Sequence, residues 1–143
     1  FGSRLVPSDW RGRLKSSPVR VLCLITVGFL SALHVCVLHA ALSPVKTLGS
    51  EVWVLMGAFF VMLGQILPRT RRNPFLGVRT TWTLTSDENW AQTHRMAGYA
   101  FTLGGAAVAV AGLLRAPALA MAVLAVTVLA PVVWLWRFAA REA

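Results

Sequence analysis

The chain has 143 residues, of which 57% are hydrophobic and 13% are charged, and its mean hydropathy is +0.66. Soluble domains carry about 25% charged residues, so this composition, gathered in long apolar runs, excludes an ordinary soluble domain and indicates membrane spans. In a membrane protein a net charge of +9 is explained first by topology, and we therefore expect no direct binding to nucleic acid.

The first part of the chain is a basic N-terminal tail, residues 1–17, and the membrane domain is predicted over residues 18–143. Pro18 suits a first helical turn because its φ is already fixed near the helical value. The first span is predicted over about 19–42, and its two histidines have no carboxylate close in sequence. We therefore expect no metal site.

Three further spans follow, predicted at about 52–67, 96–114 and 118–136. The second span ends at Pro68, and its Gly57 and Gly64 are seven residues apart, which places them on one face. In the third span glycine recurs every seven residues from Gly98 to Gly112. Such stripes of small residues are typical of close helix packing. They would also suit an oligomer or an accessory subunit of a membrane complex.

The positive charges predict the orientation. The N-terminal tail with the first helical turn holds five Lys/Arg, the 68–98 stretch five and the C-terminus two, against one in each of the two remaining turns. Because Lys and Arg favour the cytoplasmic side, we expect an all-α, integral membrane four-helix bundle in the plasma membrane. Both termini and a structured loop between helices 2 and 3 would be cytoplasmic.

That loop, residues 68–98, is the longest polar interval of the chain, and function should be sought there. Thr85-Ser86-Asp87-Glu88 has the pattern of a capping box, so a helix is predicted to begin at this point. Trp90, His94, Ala97 and Phe101 would share one face of it. We expect this helix to continue directly into the third span, with its first turns outside the membrane.

The loop lacks an obvious set of catalytic residues. Asp87 and Glu88 are explained by the dipole at a helix start, and His94 has no Cys and no paired carboxylate nearby in sequence. Arg79, His94 and Arg95 could surround an anionic headgroup, but His94 could equally satisfy the backbone of the loop. We predict no catalytic residue and no cofactor.

The order and spacing of one motif resemble the SdpI family of bacterial membrane proteins. The motif comprises Pro68, Asn73-Pro74-Phe75, Gly77, Arg79-Thr80, Trp82-Thr83, Ser86, Trp90, Thr93-His94-Arg95 and Gly98. The resemblance implies an immunity protein that protects a producer from its own secreted peptide toxin and holds a transcriptional repressor at the membrane. It implies no catalytic residues. Longer members carry an additional N-terminal membrane region.

The leading hypothesis is therefore a non-enzymatic membrane protein in immunity or signalling, whose partners are the lipid bilayer and a peptide toxin or a cytoplasmic repressor. The candidate partner- or headgroup-binding residues are Asn73, Phe75, Gly77, Arg79, Thr80, Trp82, Thr83, Ser86, Trp90, His94 and Arg95. Arg and Trp are the types that most often anchor interfaces. A small transporter is the alternative, although Glu51, at the end of a span, is the nearest acid to a membrane interior. A lipid-headgroup-binding protein and an accessory subunit of a membrane complex are two further alternatives.

Overall fold

The computed structural model of the chain describes residues 17–43, 49–72 and 77–139. Its helices are α1 (Ser17–Leu42), α2 (Ser50–Ile66), α3 (Thr81–Thr85), α4 (Asp87–Leu113) and α5 (Pro117–Ala139), with a 3-10 turn at Leu67–Arg69. The predicted all-α membrane bundle is confirmed. The N-terminal tail, Asn73 and Phe75 lie outside the described residues, and the domain division stays a prediction.

Four of these helices are long and apolar enough to cross a membrane, which makes the chain a multi-pass membrane protein. Helix α4 has 27 residues, about 40 Å at 1.5 Å per residue, which exceeds the hydrocarbon core of about 30 Å. Its first part, 87–95, is polar, and its apolar part begins at residue 96. The helix thus runs without interruption from the loop into the span, as predicted.

Helices α2 and α4 pack antiparallel along the two glycine stripes. A Cβ built on Gly105 would lie 2.7 Å from the Gly57 carbonyl oxygen, and one on Gly98 would lie 2.9 Å from the Gly64 carbonyl oxygen. Distances this short leave no space for a side chain at either position. The predicted close helix packing is confirmed, and the glycines are its cause.

The other two long helices flank this pair. Helix α1 contacts α2 through a stacked ring pair, Phe29 and Phe59, whose centroids are 4.2 Å apart. Helix α5 packs on α4, where Gly104 lies against the Thr127 side chain. Most large side chains of α1 and α5 point outward and are apolar, as expected of surfaces that meet lipid.

The turn between α4 and α5 lies at the end of the bundle where α2 begins. The Arg115 amide donates to the Gly112 carbonyl and the Ala116 amide to the Ala111 carbonyl, both at 3.0 Å. This pair of bonds is the Schellman arrangement, in which the residue after the cap takes a positive φ. Arg115 takes it here, with a φ of 54°. The chain therefore turns tightly between α4 and α5.

Candidate functional site

The polar residues gather at the opposite end of the bundle, in a structure that we call the polar cap and define as residues 67–72 with 77–95. It contains the segment that follows α2, the loop 77–80, α3 and the first turns of α4. The chain leaves α2 through the 3-10 turn Leu67–Arg69, and Pro68 lies in the first residues of that turn. Three separate pieces of backbone thus meet above the α2–α4 seam.

Trp90 joins the segment after α2 to the start of α4. Its indole Nε1–H donates to the Thr70 carbonyl oxygen at 2.8 Å, and its side chain is only 2% exposed. Thr70 is held in turn by its own hydroxyl, which donates to the Leu67 carbonyl at 2.7 Å. The Trp90 ring also stacks on the His94 ring, with centroids 4.0 Å apart and an interplanar angle of 17°.

His94 joins the loop 77–80 to α4. Its Nδ1 lies 2.9 Å from the Trp90 carbonyl oxygen, and its Nε2 accepts from the Val78 amide at 3.2 Å. A carbonyl can only accept and an amide N–H can only donate, so the ring carries its proton on Nδ1 and is neutral. The side chain is completely buried. It satisfies the backbone of the loop, which is the simpler of the two interpretations offered for it from sequence.

The environment of His94 favours this neutral form. His94 precedes the apolar, membrane-spanning part of α4, which begins at residue 96. Burial lowers the pKa of the His94 imidazole from 6.5, and the hydrogen bond to the Trp90 carbonyl opposes that shift in part. The ring is therefore held as a neutral hydrogen-bonding bridge near pH 7.

Gly77 allows the loop to reach His94. Its φ is 111°, a conformation that residues with a side chain rarely adopt, and a Cβ at this position would overlap the His94 Nε2 atom. Glycine is thus required twice, once by the backbone angle and once by the histidine beneath it.

The short helix α3 is held by two threonines in a reciprocal cap. The Thr83 amide donates to the Thr80 hydroxyl at 3.2 Å, and the Thr80 amide donates to the Thr83 hydroxyl at 2.8 Å. Thr83 is completely buried, and the Val78 carbonyl lies 3.0 Å from its Oγ1, within reach of the hydroxyl proton. The same threonine therefore fixes both the helix and the loop before it.

The start of α4 corrects one detail of the sequence analysis. A helix does begin where the capping box was predicted, but Ser86 is its cap and accepts from the Asn89 amide at 3.0 Å. Thr85 belongs to α3, and its hydroxyl donates to the Trp82 carbonyl at 2.6 Å. Because α3 and α4 are separated only by Ser86, the N-cap of α4 is Ser86 and not Thr85, the first residue of the predicted capping box.

A further contact joins the segment after α2 to α3 and to the start of α4. The Arg72 guanidinium lies 2.8 Å from Asp87 and donates to the Leu84 carbonyl at 2.8 Å. Both charged side chains are largely exposed, at 40% and 83%, so the ion pair contributes little stability by itself. Arg72 was not among the predicted site residues, because a run of arginines beside a span is explained by topology alone.

The eleven predicted residues divide by accessibility. Thr83, Trp90 and His94 are buried, whereas Thr80, Trp82 and Ser86 are partly exposed; Gly77, Arg79 and Arg95 are exposed. Asn73 and Phe75 lie outside the described residues. The buried residues face the interior of the cap, so they can position a binding surface but not form one. Binding of a partner or a lipid headgroup by these residues stays a prediction.

The exposed part of the cap is basic. Arg69, Arg71, Arg79 and Arg95 are exposed, and Trp82, which follows Arg79 in the chain, is half-buried. Guanidinium groups bind carboxylates and phosphates through paired hydrogen bonds, so a surface of this kind suits an acidic protein or a phosphate group. Among the described residues, no three His, Cys, Asp or Glu side chains form a group that could hold a metal ion.

Comparison with known proteins agrees with the motif. Residues 69–135 match the model of the SdpI/YfhL protein family. The matched segment contains most of the polar cap, all of α4 and most of α5. Neither the curated proteins nor the solved structures that were compared with the chain contain a significant match. Over residues 69–135, slightly less than half of its length, this multi-pass membrane protein resembles the SdpI/YfhL family.

Proposed function

We propose that the protein is a non-enzymatic immunity or signalling protein of the cell membrane, and that the exposed face of its polar cap docks a cytoplasmic regulator. It gives resistance to a secreted peptide toxin, or relays the presence of the toxin, or does both. The family supports this class of function. The distribution of Lys and Arg supports a cytoplasmic polar cap and cytoplasmic termini.

One structural observation carries the docking half of the proposal. The loop 77–80 is fixed to α4 by the bond from the Val78 amide to His94, and the segment after α2 is fixed to α4 by the bond from Trp90 to Thr70. Arg79 lies within that loop and is exposed. Its guanidinium is therefore carried on a rigid support, and a preorganised surface loses less conformational entropy on binding.

The use of His94 supports docking over catalysis. Both ring nitrogens are engaged with backbone groups of the cap, and the ring is buried. A general base must be able to exchange a proton with a substrate, which this arrangement does not favour. Arginine and tryptophan at a rigid surface are instead the residue types that anchor protein interfaces. The expected partner surface is acidic.

Survival of a toxin-sensitive bacterium tests the immunity half. The chain is expressed in the sensitive strain, which is then challenged with peptide toxins from a panel of producers. We expect protection against at least one toxin, measured as surviving colonies relative to an empty vector. No protection against any member of the panel would contradict immunity.

Arginine substitutions in the same strain test the docking half. We expect the double variant Arg79→Gln/Arg95→Gln to lose at least part of the protection while its level in the membrane is unchanged. Arg137→Gln, which removes one positive charge at an exposed position on α5, is the control for each of the two substitutions. Full protection by the double variant would contradict a role of the polar cap in resistance to the toxin.

Labelling of single cysteines tests the orientation. Cys23 and Cys36 are first replaced by serine, and one cysteine is placed at Thr85, which is exposed on the cap. A membrane-impermeant maleimide should label it in broken cells and leave it unlabelled in intact cells. Labelling in intact cells would place the cap outside and remove the proposed site of docking.

A further inference from the structure

A cavity lies at the end of the bundle opposite the polar cap, between the start of α2 and the turn from α4 to α5. Its volume is about 350 Å³, and the residues that line it are Gly49, Ser50, Glu51, Trp53, Arg115 and Pro117. Ligand pockets in proteins have volumes of roughly 300–1,000 Å³, so the cavity is large enough for a small polar group.

Two opposite charges line this cavity without pairing with each other. Glu51 and Arg115 are both exposed, and in the described ranges neither side chain makes an ion pair or a hydrogen bond. The pair thus offers one acceptor group and one donor group to the same space. A ligand that carries both a cation and an anion would satisfy them together.

The backbone at Arg115 supports a functional reason for the arginine. Its φ of 54° lies in the left-handed region, and the Schellman turn that it closes ordinarily has glycine at this position. Arginine in this conformation is less stable than glycine. Residues held in unfavourable conformations cluster at binding sites, and the side chain that is retained here is the one that lines the cavity.

The location identifies the type of ligand. Both α2 and α4 cross the membrane, and the cavity lies where the first of them begins and the second ends. This is the level of the lipid headgroups. Trp53, which also lines the cavity, is of the residue type enriched at that level, because its ring is apolar and its N–H is polar.

We propose that this cavity binds the zwitterionic headgroup of phosphatidylethanolamine. The Arg115 guanidinium donates to the phosphate, and the Glu51 carboxylate accepts from the ammonium group. Trp53 packs beside the glycerol end of the lipid. The site is separate from the polar cap and does not depend on the proposed function.

The chemistry of the two charges distinguishes this lipid from its relatives. An ammonium group has three N–H donors for Glu51, whereas the trimethylammonium of phosphatidylcholine has none. Phosphatidylglycerol has no cation at all, so Glu51 would repel its phosphate. Free phosphoethanolamine has the same headgroup chemistry as the proposed ligand but lacks acyl chains, and it is therefore included in the test.

Native mass spectrometry of the purified full chain in detergent tests the proposal. The protein is titrated with the dioleoyl forms of the three lipids and with phosphoethanolamine. Because a hydrogen bond between two charged groups is lost with phosphatidylcholine, we expect the Kd for phosphatidylethanolamine to be about tenfold lower. Equal Kd values for these two lipids, or a lower Kd for phosphatidylglycerol, would overturn the site. Free phosphoethanolamine binding as tightly as the lipid would overturn the assignment to a lipid.

Two variants separate the roles of the charges. Glu51→Gln should abolish the preference for phosphatidylethanolamine over phosphatidylcholine. Arg115→Gly should weaken the binding of both lipids about tenfold, because the phosphate contact is common to them. Its Tm should be equal to or above that of the unchanged protein, because glycine suits the φ of 54°, so the loss cannot be attributed to unfolding.

Arg137→Gln removes one positive charge from the other end of the bundle and serves as the control. It should leave all three lipid affinities within twofold of those of the unchanged protein. Retention of full lipid affinity by Arg115→Gly would contradict the proposal, as would the same loss of affinity in Arg137→Gln.

Discussion

The α-carbon of Gly77 lies against the Nε2 atom of His94, so that a Cβ at position 77 would overlap the imidazole. The same nitrogen accepts the hydrogen bond of the next amide, Val78. The histidine thus fixes the position of the loop, and the glycine is the residue that allows the loop to come so close.

Replacing Gly77 with alanine should therefore destabilise the cap. The φ of 111° and the overlap with His94 together should cost about 2 kcal/mol of unfolding free energy. The measurement is the protection of the Val78 and Thr80 amides against hydrogen exchange. In a His94→Ala background the Gly77→Ala change should cost less, because the overlap is gone. Equal costs in the two backgrounds would show that the contact with the imidazole is unimportant.

The protein should lose stability in mild acid. Burial lowers the pKa of His94 in the folded state, so above the unfolded pKa of about 6.5 both states are neutral and stability is complete. As the pH falls below about 6.5, the unfolded state binds the proton first and stability decreases, until the folded pKa is passed.

The measurement of this effect is the Tm between about pH 8 and about pH 5, a range that contains the ordinary histidine pKa. His94→Gln should lower the Tm at pH 8 and flatten the decline below pH 6.5. The control is His34→Gln, because His34 is exposed on α1. If the decline of the Tm below pH 6.5 persisted unchanged in His94→Gln, another titratable group would be its cause.

The sequence predicted the framework of this protein because its signals are local and repeated. Apolar runs and seven-residue glycine spacing depend only on the helix period, and the structure has both features where they were expected. The continuation of α4 out of the span was predicted for the same reason, from one face that carries Trp90 and His94.

The interior of the cap could not be predicted in the same way. The bond from Trp90 to Thr70 joins residues 20 apart, and the bond from Val78 to His94 joins residues 16 apart. No periodicity encodes such pairs. Helix α3 is only five residues long, and its cap uses threonine where the usual pattern has Glu or Gln.

The buried hydroxyl of Thr83 should be the main support of α3. Thr83→Val keeps the shape of the side chain but leaves the Thr80 amide and the Val78 carbonyl without this partner. We expect a loss of about 2 kcal/mol in unfolding free energy. Thr81→Val makes the same chemical change at an exposed position in the same helix and should stay within about 0.5 kcal/mol. Titration with SDS measures both, and equal effects would contradict the role of the cap.

The indole N–H of Trp90 should contribute to the unfolding free energy separately from the stacking of its ring. Trp90→Phe keeps an aromatic ring above His94 but removes the donor to the Thr70 carbonyl, which belongs to a buried residue. The expected loss is about 1–2 kcal/mol, because a buried acceptor is left unsatisfied. Trp136→Phe is the matched control, since Trp136 is 73% exposed and should tolerate the change. If Trp90→Phe left the unfolding free energy unchanged, other contacts would hold the segment that follows α2.

The close packing of α2 and α4 should depend on the absence of a side chain at Gly105. Gly105→Ala would place a methyl group 2.7 Å from the Gly57 carbonyl oxygen and 2.8 Å from the Val61 amide nitrogen. Both neighbours are backbone atoms, so α2 and α4 must separate, and the loss should be about 2–3 kcal/mol. Gly28→Ala, with no atom within 4 Å of the new methyl, should be neutral or stabilise α1 by up to about 1 kcal/mol. Because Trp90 connects α4 to the segment that directly follows α2, Gly105→Ala should also weaken the protection of its indole N–H against hydrogen exchange. Similar stabilities for the two glycine variants in SDS titration would mean that close helix packing does not hold the bundle together.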